Sequence, residues 1–238
     1  MKRVLLIVIG VLFLTQNVLA LTPIGPPTAT LEEGKCELSF NYLNTEMDIT
    51  FSGYGGSETV NTKIDSYLPK LDIGLGDGWQ LFAALGIADM DDAEGFNDSS
   101  VHGGAGWKKT VAQCNDIDWG ASFQIYWSRF SEKSPIVVGS PIDFELEFSY
   151  YEVQFAIGPT YKKDNLCLYG GPFLHYLKGS LDVSAFDVEL LSLDVEKDLS
   201  VGGFAGLIVD LTENINLGVE AQFIEDAEAV MFRIGYRF

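Results

Sequence analysis

The sequence predicts an all-β fold, an antiparallel up-and-down barrel of ten strands that crosses a membrane, and three observations lead to it. The first is the end of the chain, where residues 230–238 place a large apolar residue at every second position and put Arg233 and Arg237 between them. The second is a secretory signal at the start. The third is a series of alternating segments whose connectors are short and long in turn. Period-two alternation gives a strand two different faces, which suits the wall of a membrane barrel.

The first 20 residues have the parts of a secretory signal peptide. Lys2 and Arg3 are basic, residues 4–14 form an apolar run, and small residues precede the expected cleavage point at Ala20. The apolar run is shorter than the roughly 20 residues that a transmembrane helix needs. We therefore expect cleavage near Ala20 and a mature chain that enters a membrane only as strands.

The mature chain divides into two parts. Residues 21–34 are rich in proline and lack periodicity, which predicts an extended periplasmic lead-in with no structure of its own. Residues 35–238 contain the alternating segments and predict one barrel domain.

Ten segments of the barrel domain alternate in the manner of strands. They cover residues 36–51, 62–75, 79–89, 101–113, 119–129, 143–161, 166–180, 199–211, 215–223 and 230–238. Tight turns are predicted at 76–78, 115–118, 162–165 and 212–214, and longer connectors at 52–61, 90–100, 130–142 and 181–198. The alternation changes parity at Tyr150 and Tyr151, which predicts a β-bulge. Eight strands would follow if the first two segments pair differently, and twelve if residues 181–198 form a hairpin extension.

The terminal strand resembles the C-terminal signature of bacterial outer-membrane β-barrel proteins, in the class of small porin-like and OmpA-like barrels. Phe232, Ile234, Tyr236 and the final Phe238 carry this resemblance and form the predicted assembly signature. The resemblance implies a location in the bacterial outer membrane, in contact with lipid and lipopolysaccharide. It also implies insertion by the β-barrel assembly machinery with the help of periplasmic chaperones.

Aromatic residues lie at the predicted strand ends. Trp79, Trp119 and Tyr161 lie beside tight turns, and Trp127 lies toward the other end of its strand. Trp and Tyr favour the headgroup regions of a bilayer, so these residues predict an aromatic girdle at each interface. A soluble ligand-binding barrel is the alternative fold, but the second face of the strands contains Phe82 and similar residues in place of the charges that water requires.

Inward-facing positions collect ionisable side chains. The predicted lumen charge network comprises Lys70, Asp72, Lys108, Glu152, Asp210, Glu220, Arg233 and Arg237, and Glu37, Glu145 and Glu147 have the same parity. Unpaired charges are costly in a lumen of low effective dielectric. We therefore expect these groups to pair, with Glu220 and Arg233 on adjacent strands, and to plug the barrel. An ion-selective constriction is the alternative.

The composition of the chain limits the kinds of partner that it can bind. The formal net charge is −19, and it becomes −21 once Lys2 and Arg3 are removed, which argues against nucleic acid as a partner. The three cysteines are expected to be free thiols, with a bond between Cys114 and Cys167 as the alternative.

No catalytic, cofactor or metal site is predicted. His102 and His175 stand without an acidic residue in a recognisable motif and are expected to be structural. Asp and Glu residues crowd the 90–100 connector, but their spacing departs from a calcium-binding loop, so a solvated acidic loop is expected and calcium is the alternative.

The sequence therefore predicts a non-enzymatic outer-membrane barrel, structural or a narrow pore for small solutes, with acidic extracellular loops. A loop-mediated adhesin or binding module is the second hypothesis, since residues 181–198 are apolar enough to extend a hairpin or to contact a partner. An outer-membrane barrel enzyme is the third.

Overall fold

A computed structural model describes residues 21–53, 56–91, 99–137, 141–185, 188–225 and 227–238. Its ten strands form a closed antiparallel barrel in which neighbours in the chain pair and β1 closes on β10. The strands are β1 Cys36–Gly53, β2 Gly56–Gly76, β3 Trp79–Asp91, β4 Ser99–Cys114, β5 Ile117–Val137, β6 Pro141–Lys163, β7 Leu166–Ala185, β8 Val188–Asp210, β9 Ile215–Ile224 and β10 Ala227–Arg237. The predicted up-and-down barrel of ten strands is confirmed. Among the described residues, no helix is long and apolar enough to cross a membrane.

The tight turns lie together at one end of the barrel, which we call the turn end. Asp77, Asn115 and Asp164 have positive φ angles there, a conformation that Asp and Asn tolerate in short hairpins. Both ends of the barrel sequence also meet at the turn end, where Cys36 and Phe238 exchange backbone hydrogen bonds of 3.1 and 3.0 Å. The predicted positions of the tight turns are confirmed.

At the opposite end, the hairpin end, several strands extend much farther than a membrane requires. β9 and β10 have 10 and 11 residues, whereas β6 and β8 each have 23. A barrel strand crosses a bilayer in about 9–11 residues. Most of the predicted long connectors are therefore strand, and residues 181–185 and 188–198 extend the β7–β8 hairpin without adding to the strand count.

The predicted β-bulge at Tyr150 and Tyr151 is wrong. β5 and β6 pair without a register shift along their whole length, and β6 and β7 also keep one register around these residues. Tyr150 is buried and stacks on Phe130, with ring centroids 6.2 Å apart, while Tyr151 is exposed. The lumen therefore contains stacked aromatic rings at this level.

Unbroken register in β6 also changes the place of the acidic residues before Tyr150. Glu147, predicted to face the lumen, faces outward and forms an ion pair of 2.7 Å with the exposed Arg129. The side chain of Glu145 lies outside the described residues.

The two faces of the barrel are inverted relative to a water-soluble protein. Every strand exposes large apolar side chains, among them Phe40, Leu71, Leu81, Val101, Ile125, Phe155, Leu174, Val201, Phe223 and Ile234. The inner face buries charged, amide and hydroxyl side chains. An apolar outer surface on all ten strands requires hydrocarbon around it, as a membrane barrel has.

The aromatic residues predicted as girdles lie at two levels. Trp79 and Trp119 are exposed near the turn end, and Tyr161 is half-buried at the same end. Trp127 is exposed toward the hairpin end, opposite Tyr151 of β6. Trp119 and Trp127 are eight residues apart on β5, which corresponds to about 20 Å along the barrel axis for a tilted strand.

Candidate functional site in the lumen

Residues 21–31, which we call the N-terminal segment, lie in the lumen, and the exposed residues 32–34 connect them to β1. From the start of β1 at the turn end this segment runs back into the barrel, and residues 21–28 are fully buried. It forms no helix or strand. The sequence predicted a lead-in outside the barrel, and the structure corrects that position. Eight strands enclose a space that side chains just fill, so ten strands leave room for an extended chain as well.

Apolar side chains of the segment pack against one side of the lumen. Leu21 and Ile24 belong to the same buried cluster as Phe173, Leu177 and Phe204 of the wall. Burying these side chains removes their apolar surface from water, which favours the inserted position by about 2 kcal/mol for each residue.

Wall carboxylates bind the inner part of the segment through its backbone. Ile24 and Gly25 donate their N–H groups to the two carboxylate oxygens of Glu220, at 2.9 and 2.7 Å. Thr22 donates its N–H to Glu152 at 3.3 Å. The two wall acids are thus bound by backbone amides of the same chain.

Neutral side chains bind the outer part. Ala29 donates its N–H to the hydroxyl of Thr110 at 3.1 Å. Thr30 and Leu31 donate theirs to the amide oxygen of Gln80, at 2.9 and 3.3 Å. Together with the carboxylate contacts, six backbone donors of the segment have acceptors on the barrel wall.

Proline lowers the number of donors that the lumen must satisfy. Pro23, Pro26 and Pro27 have no N–H group. A buried backbone donor without an acceptor is costly. A segment rich in proline is therefore well suited to a buried position without regular secondary structure.

Side chains of the wall also donate to the segment. The carbonyl oxygen of Thr22 accepts hydrogen bonds from Gln124 at 3.4 Å and from Gln222 at 2.8 Å. The hydroxyl of Thr28 donates to that of Thr160 at 2.9 Å. Residues from β5, β6 and β9 thus hold the segment from several sides of the lumen.

Gly25 allows a close approach of the segment to the wall. Its φ angle is +69°, and a Cβ atom there would lie 2.8 Å from the ammonium nitrogen of Lys108. Any other residue would be strained and would displace the buried Lys108 side chain.

The residues predicted as one lumen charge network form separate groups. At the turn end, Glu37 pairs with Arg233, and its other oxygen accepts hydrogen bonds of 2.8 Å from Arg237 and from Asn216. Arg237 also pairs with Asp210 at 3.0 Å. Two cations and two acids are thus joined next to the seam where β1 meets β10.

Glu220 and Arg233, expected to pair, do not meet. The register of β9 and β10 sets Arg233 opposite Gly218 and Glu220 opposite Met231. The two side chains are therefore offset along the barrel, and Glu220 accepts hydrogen bonds from Ile24 and Gly25 of the N-terminal segment and from Gln222 of the wall.

A second group surrounds a buried aromatic ring. Lys70 pairs with Asp72 at 3.3 Å, and Gln80 donates to the same carboxylate at 2.8 Å. The ammonium groups of Lys70 and Lys108 lie 3.9 and 5.8 Å from the centroid of Phe82. The ring stabilises both cations through its electron-rich face.

The third group contains both histidines. His175 lies 3.0 Å from the carboxylate of Glu152. His102 contacts the hydroxyl of Ser128 and stacks on Tyr126, with ring centroids 5.3 Å apart. All of these side chains are buried.

The contact between His102 and Ser128 was not predicted, because the two residues meet only through the pairing of β4 and β5. A hydroxyl beside an imidazole is one element of a nucleophilic site, which also needs a group that orients the imidazole. In the described part of the chain, Nε2 of His102 has no hydrogen-bond partner. The pair therefore fits a packed, hydrogen-bonded wall.

The remaining predictions concern the three cysteines and the acidic residues considered for metal binding. Cys36, Cys114 and Cys167 are free thiols. The described residues contain no group of three side chains able to hold a metal ion. Residues 92–98, which carry most of the acidic positions considered for calcium, lie outside the described ranges.

One signal in the sequence points to the buried segment. Residues 21–31 contain no charged side chain, although the whole chain carries 34 acidic and 15 basic residues. A solvated linker is usually polar or charged. An uncharged segment with Leu21 and Ile24, next to a lumen rich in hydrogen-bonding groups, is typical of a buried position.

Comparisons with known proteins bear on the fold. No family model and no curated protein matches the sequence. Among solved structures, the translocator domain of the autotransporter NalP from Neisseria meningitidis matches with a TM-score of 0.52 at 12% identity, over 88% of this chain and 90% of that domain. The fold is that of an outer-membrane β-barrel.

Two further structures match over nearly their whole length. The outer membrane protease OmpT from Escherichia coli has a TM-score of 0.49 at 10% identity, over 92% of this chain and 99% of OmpT. An outer membrane channel from Pseudomonas putida F1 has a TM-score of 0.48 at 12% identity, over 92% of this chain and all of that one. At such identities neither match assigns a function to this barrel.

Proposed function

We propose that this protein is a non-enzymatic barrel of the bacterial outer membrane that is closed in its resting state and has a structural role. The observation that supports this most is the N-terminal segment, which occupies the lumen and binds its wall through six backbone donors. A lumen filled by its own chain leaves little room for a solute. The pairing of Glu37 with Arg233 and of Asp72 with Lys70 also supports a structural role.

Planar-bilayer recording tests the closed state. The refolded mature protein should insert without producing a steady conductance. A stable channel from the intact chain would contradict the proposal, provided that gel electrophoresis shows the protein to be folded.

We also propose how the protein is exported and inserted into the membrane. The signal peptide is cleaved near Ala20, periplasmic chaperones carry the chain, and the assembly machinery inserts it. The apolar outer face then contacts lipid and lipopolysaccharide. The exposed side chains of Phe232, Ile234, Tyr236 and Phe238 on β10 support recognition of this strand from outside the barrel.

Removal of Phe238 should impair assembly. Its backbone forms two hydrogen bonds with Cys36 across the seam that closes the barrel, and its ring stacks on Tyr236 with centroids 6.4 Å apart. In cells, the fraction of protein with the gel mobility of a folded barrel should fall several-fold. Phe223→Ala, which removes an exposed ring elsewhere on the outer face, is the matched control and should assemble normally. Normal insertion without Phe238 would refute its role.

A second function, binding at the cell surface, is favoured by the long hairpins. β5 continues ten residues past Trp127 and pairs with β6 throughout, which corresponds to about 33 Å of strand. β7 and β8 form a similar projection with the acidic composition of residues 181–198. Such paired projections can present a surface for a partner while the barrel anchors them.

Shortening one hairpin tests this second function. Removing the part of β7–β8 beyond the Leu181–Leu193 pair should leave the folded barrel intact, because that part lies past the membrane. The same truncation of β5–β6 beyond Phe130 and Phe148 is the matched variant. If the hairpins bind, one truncation should reduce adherence of expressing cells to cultured epithelial cells several-fold. Unchanged adherence in both variants would contradict a binding role.

A further inference from the structure

We infer that the lumen contains a binding site for the free amino terminus of the mature chain, built around Glu152. This inference rests on cleavage near Ala20, which is part of the function proposed above. It does not depend on whether the barrel conducts.

The position of the first mature residue motivates the inference. Leu21 is buried in the lumen, and the N–H of the next residue, Thr22, lies 3.3 Å from the carboxylate of Glu152. Cleavage after Ala20 would create an α-ammonium group on Leu21. This residue directly precedes Thr22, whose N–H binds the carboxylate of Glu152. At neutral pH the α-amine is largely protonated and carries a positive charge.

The wall around Thr22 offers three acceptor atoms that the described residues leave without a hydrogen bond. They are Oε2 of Glu152 and the amide oxygens of Gln124 and Gln222. All three side chains already contact Thr22 through another of their atoms. An ammonium group has three donors, which matches the number of these acceptors, and Leu21 directly precedes the residue that the three side chains already contact.

Charge supports the same assignment. Glu152 is 1% exposed, and no Lys or Arg side chain of the described residues lies within ion-pair distance of it. The nearby His175, at 3.0 Å, is cationic only when protonated. A buried carboxylate needs a cation or several donors close to it. Oε1 of Glu152 accepts hydrogen bonds from Thr22 and Gln154, and the α-ammonium of Leu21 would supply the cation at this level of the lumen.

The site therefore distinguishes the cleaved chain from the precursor. Any residue retained before Leu21 would replace the ammonium by an amide, with one donor and no charge. Cleavage of the signal peptide would then complete the contacts that hold the segment in the lumen.

Acylation of amines tests the inference. The protein is made so that it begins at Leu21, is folded, and is treated with a water-soluble acetylating ester, and the modified positions are read by mass spectrometry. The α-amine should react at least about tenfold more slowly than the exposed ε-amines of Lys35 and Lys163. In urea, the α-amine should react faster than both lysines, because its lower pKa leaves more of it unprotonated.

Glu152→Gln keeps the shape of the side chain and removes its charge, so the α-amine of this variant should react about tenfold faster than in the natural sequence. Glu213→Gln, in an exposed turn, is the matched control and should change nothing. An α-amine as reactive as Lys35, or one whose rate is unaffected by Glu152→Gln, would overturn the inference.

A cycle of two changes separates this site from a merely structural role of Glu152. Protein acetylated at Leu21 before folding and the Glu152→Gln variant should each unfold at a lower urea concentration, and the two changes together should add little. Additive effects would refute the pairing. Bilayer recordings on the same samples keep the two proposals distinct: a conducting barrel with a protected α-amine refutes the closed state alone, and a closed barrel with a reactive α-amine refutes the site alone.

Discussion

Deletion of residues 22–31 should convert the closed barrel into a channel with a steady conductance in planar bilayers. The segment fills the lumen from the turn end to the level of Gln124, and β1 begins only after it, at Cys36. The deletion therefore leaves every strand in place. The open lumen should favour cations, because Glu152 and Glu220 lose the backbone donors that now bind them.

The same experiment has an internal control. A synthetic peptide with the sequence of residues 21–31 should close the deleted channel when it is added from the side of the turn end. A peptide of the same composition in scrambled order should not. A deletion variant that folds, inserts and still fails to conduct would show that wall side chains, rather than the segment, close the barrel.

Arg233→Met should destabilise the folded barrel by about 3 kcal/mol, the lower part of the range for breaking a buried ion pair. Arg233 is the buried partner of Glu37, which keeps only the half-buried Arg237 and the amide of Asn216 after the change. Urea unfolding followed by tryptophan fluorescence in lipid measures this loss. Insertion should be unaffected, because Arg233 faces the lumen and the assembly signature faces outward.

Replacing both partners is the matched control for this effect. Glu37→Leu combined with Arg233→Met should recover most of the lost stability, because no buried charge of the pair then remains, and Arg237 keeps its contact with Asp210. If Arg233→Met alone is as stable as the natural sequence, the ion pair does not stabilise the folded barrel.

Local signals in the sequence were enough to predict the architecture. A side-chain period of two shows which residues share a face, and residues such as Asp77 and Asn115 mark tight turns because they tolerate positive φ. The terminal strand shows its two faces clearly, with Phe232 and Ile234 exposed and Arg233 inward. These features do not depend on contacts between distant parts of the chain.

Other features depend on such contacts and were missed. Tyr150 and Tyr151 are both aromatic, so alternation could not show that Tyr150 faces inward. The partner of Glu220 depends on strand register and on the N-terminal segment, neither of which adjacency in the sequence reveals. The segment itself has no period, and only its lack of charge pointed to burial.

Disulfide cross-linking is the most direct test of the central claim that the N-terminal segment lies inside the barrel. In a background where Cys36, Cys114 and Cys167 are replaced by Ser, Thr28→Cys and Thr160→Cys should form a disulfide on mild oxidation, because the two natural hydroxyls are 2.9 Å apart. Thr28→Cys with Ser100→Cys, a buried position near the hairpin end, should not. A folded barrel in which positions 28 and 160 fail to cross-link, and in which the thiol introduced at position 28 is freely labelled by a membrane-impermeant maleimide, would contradict the account.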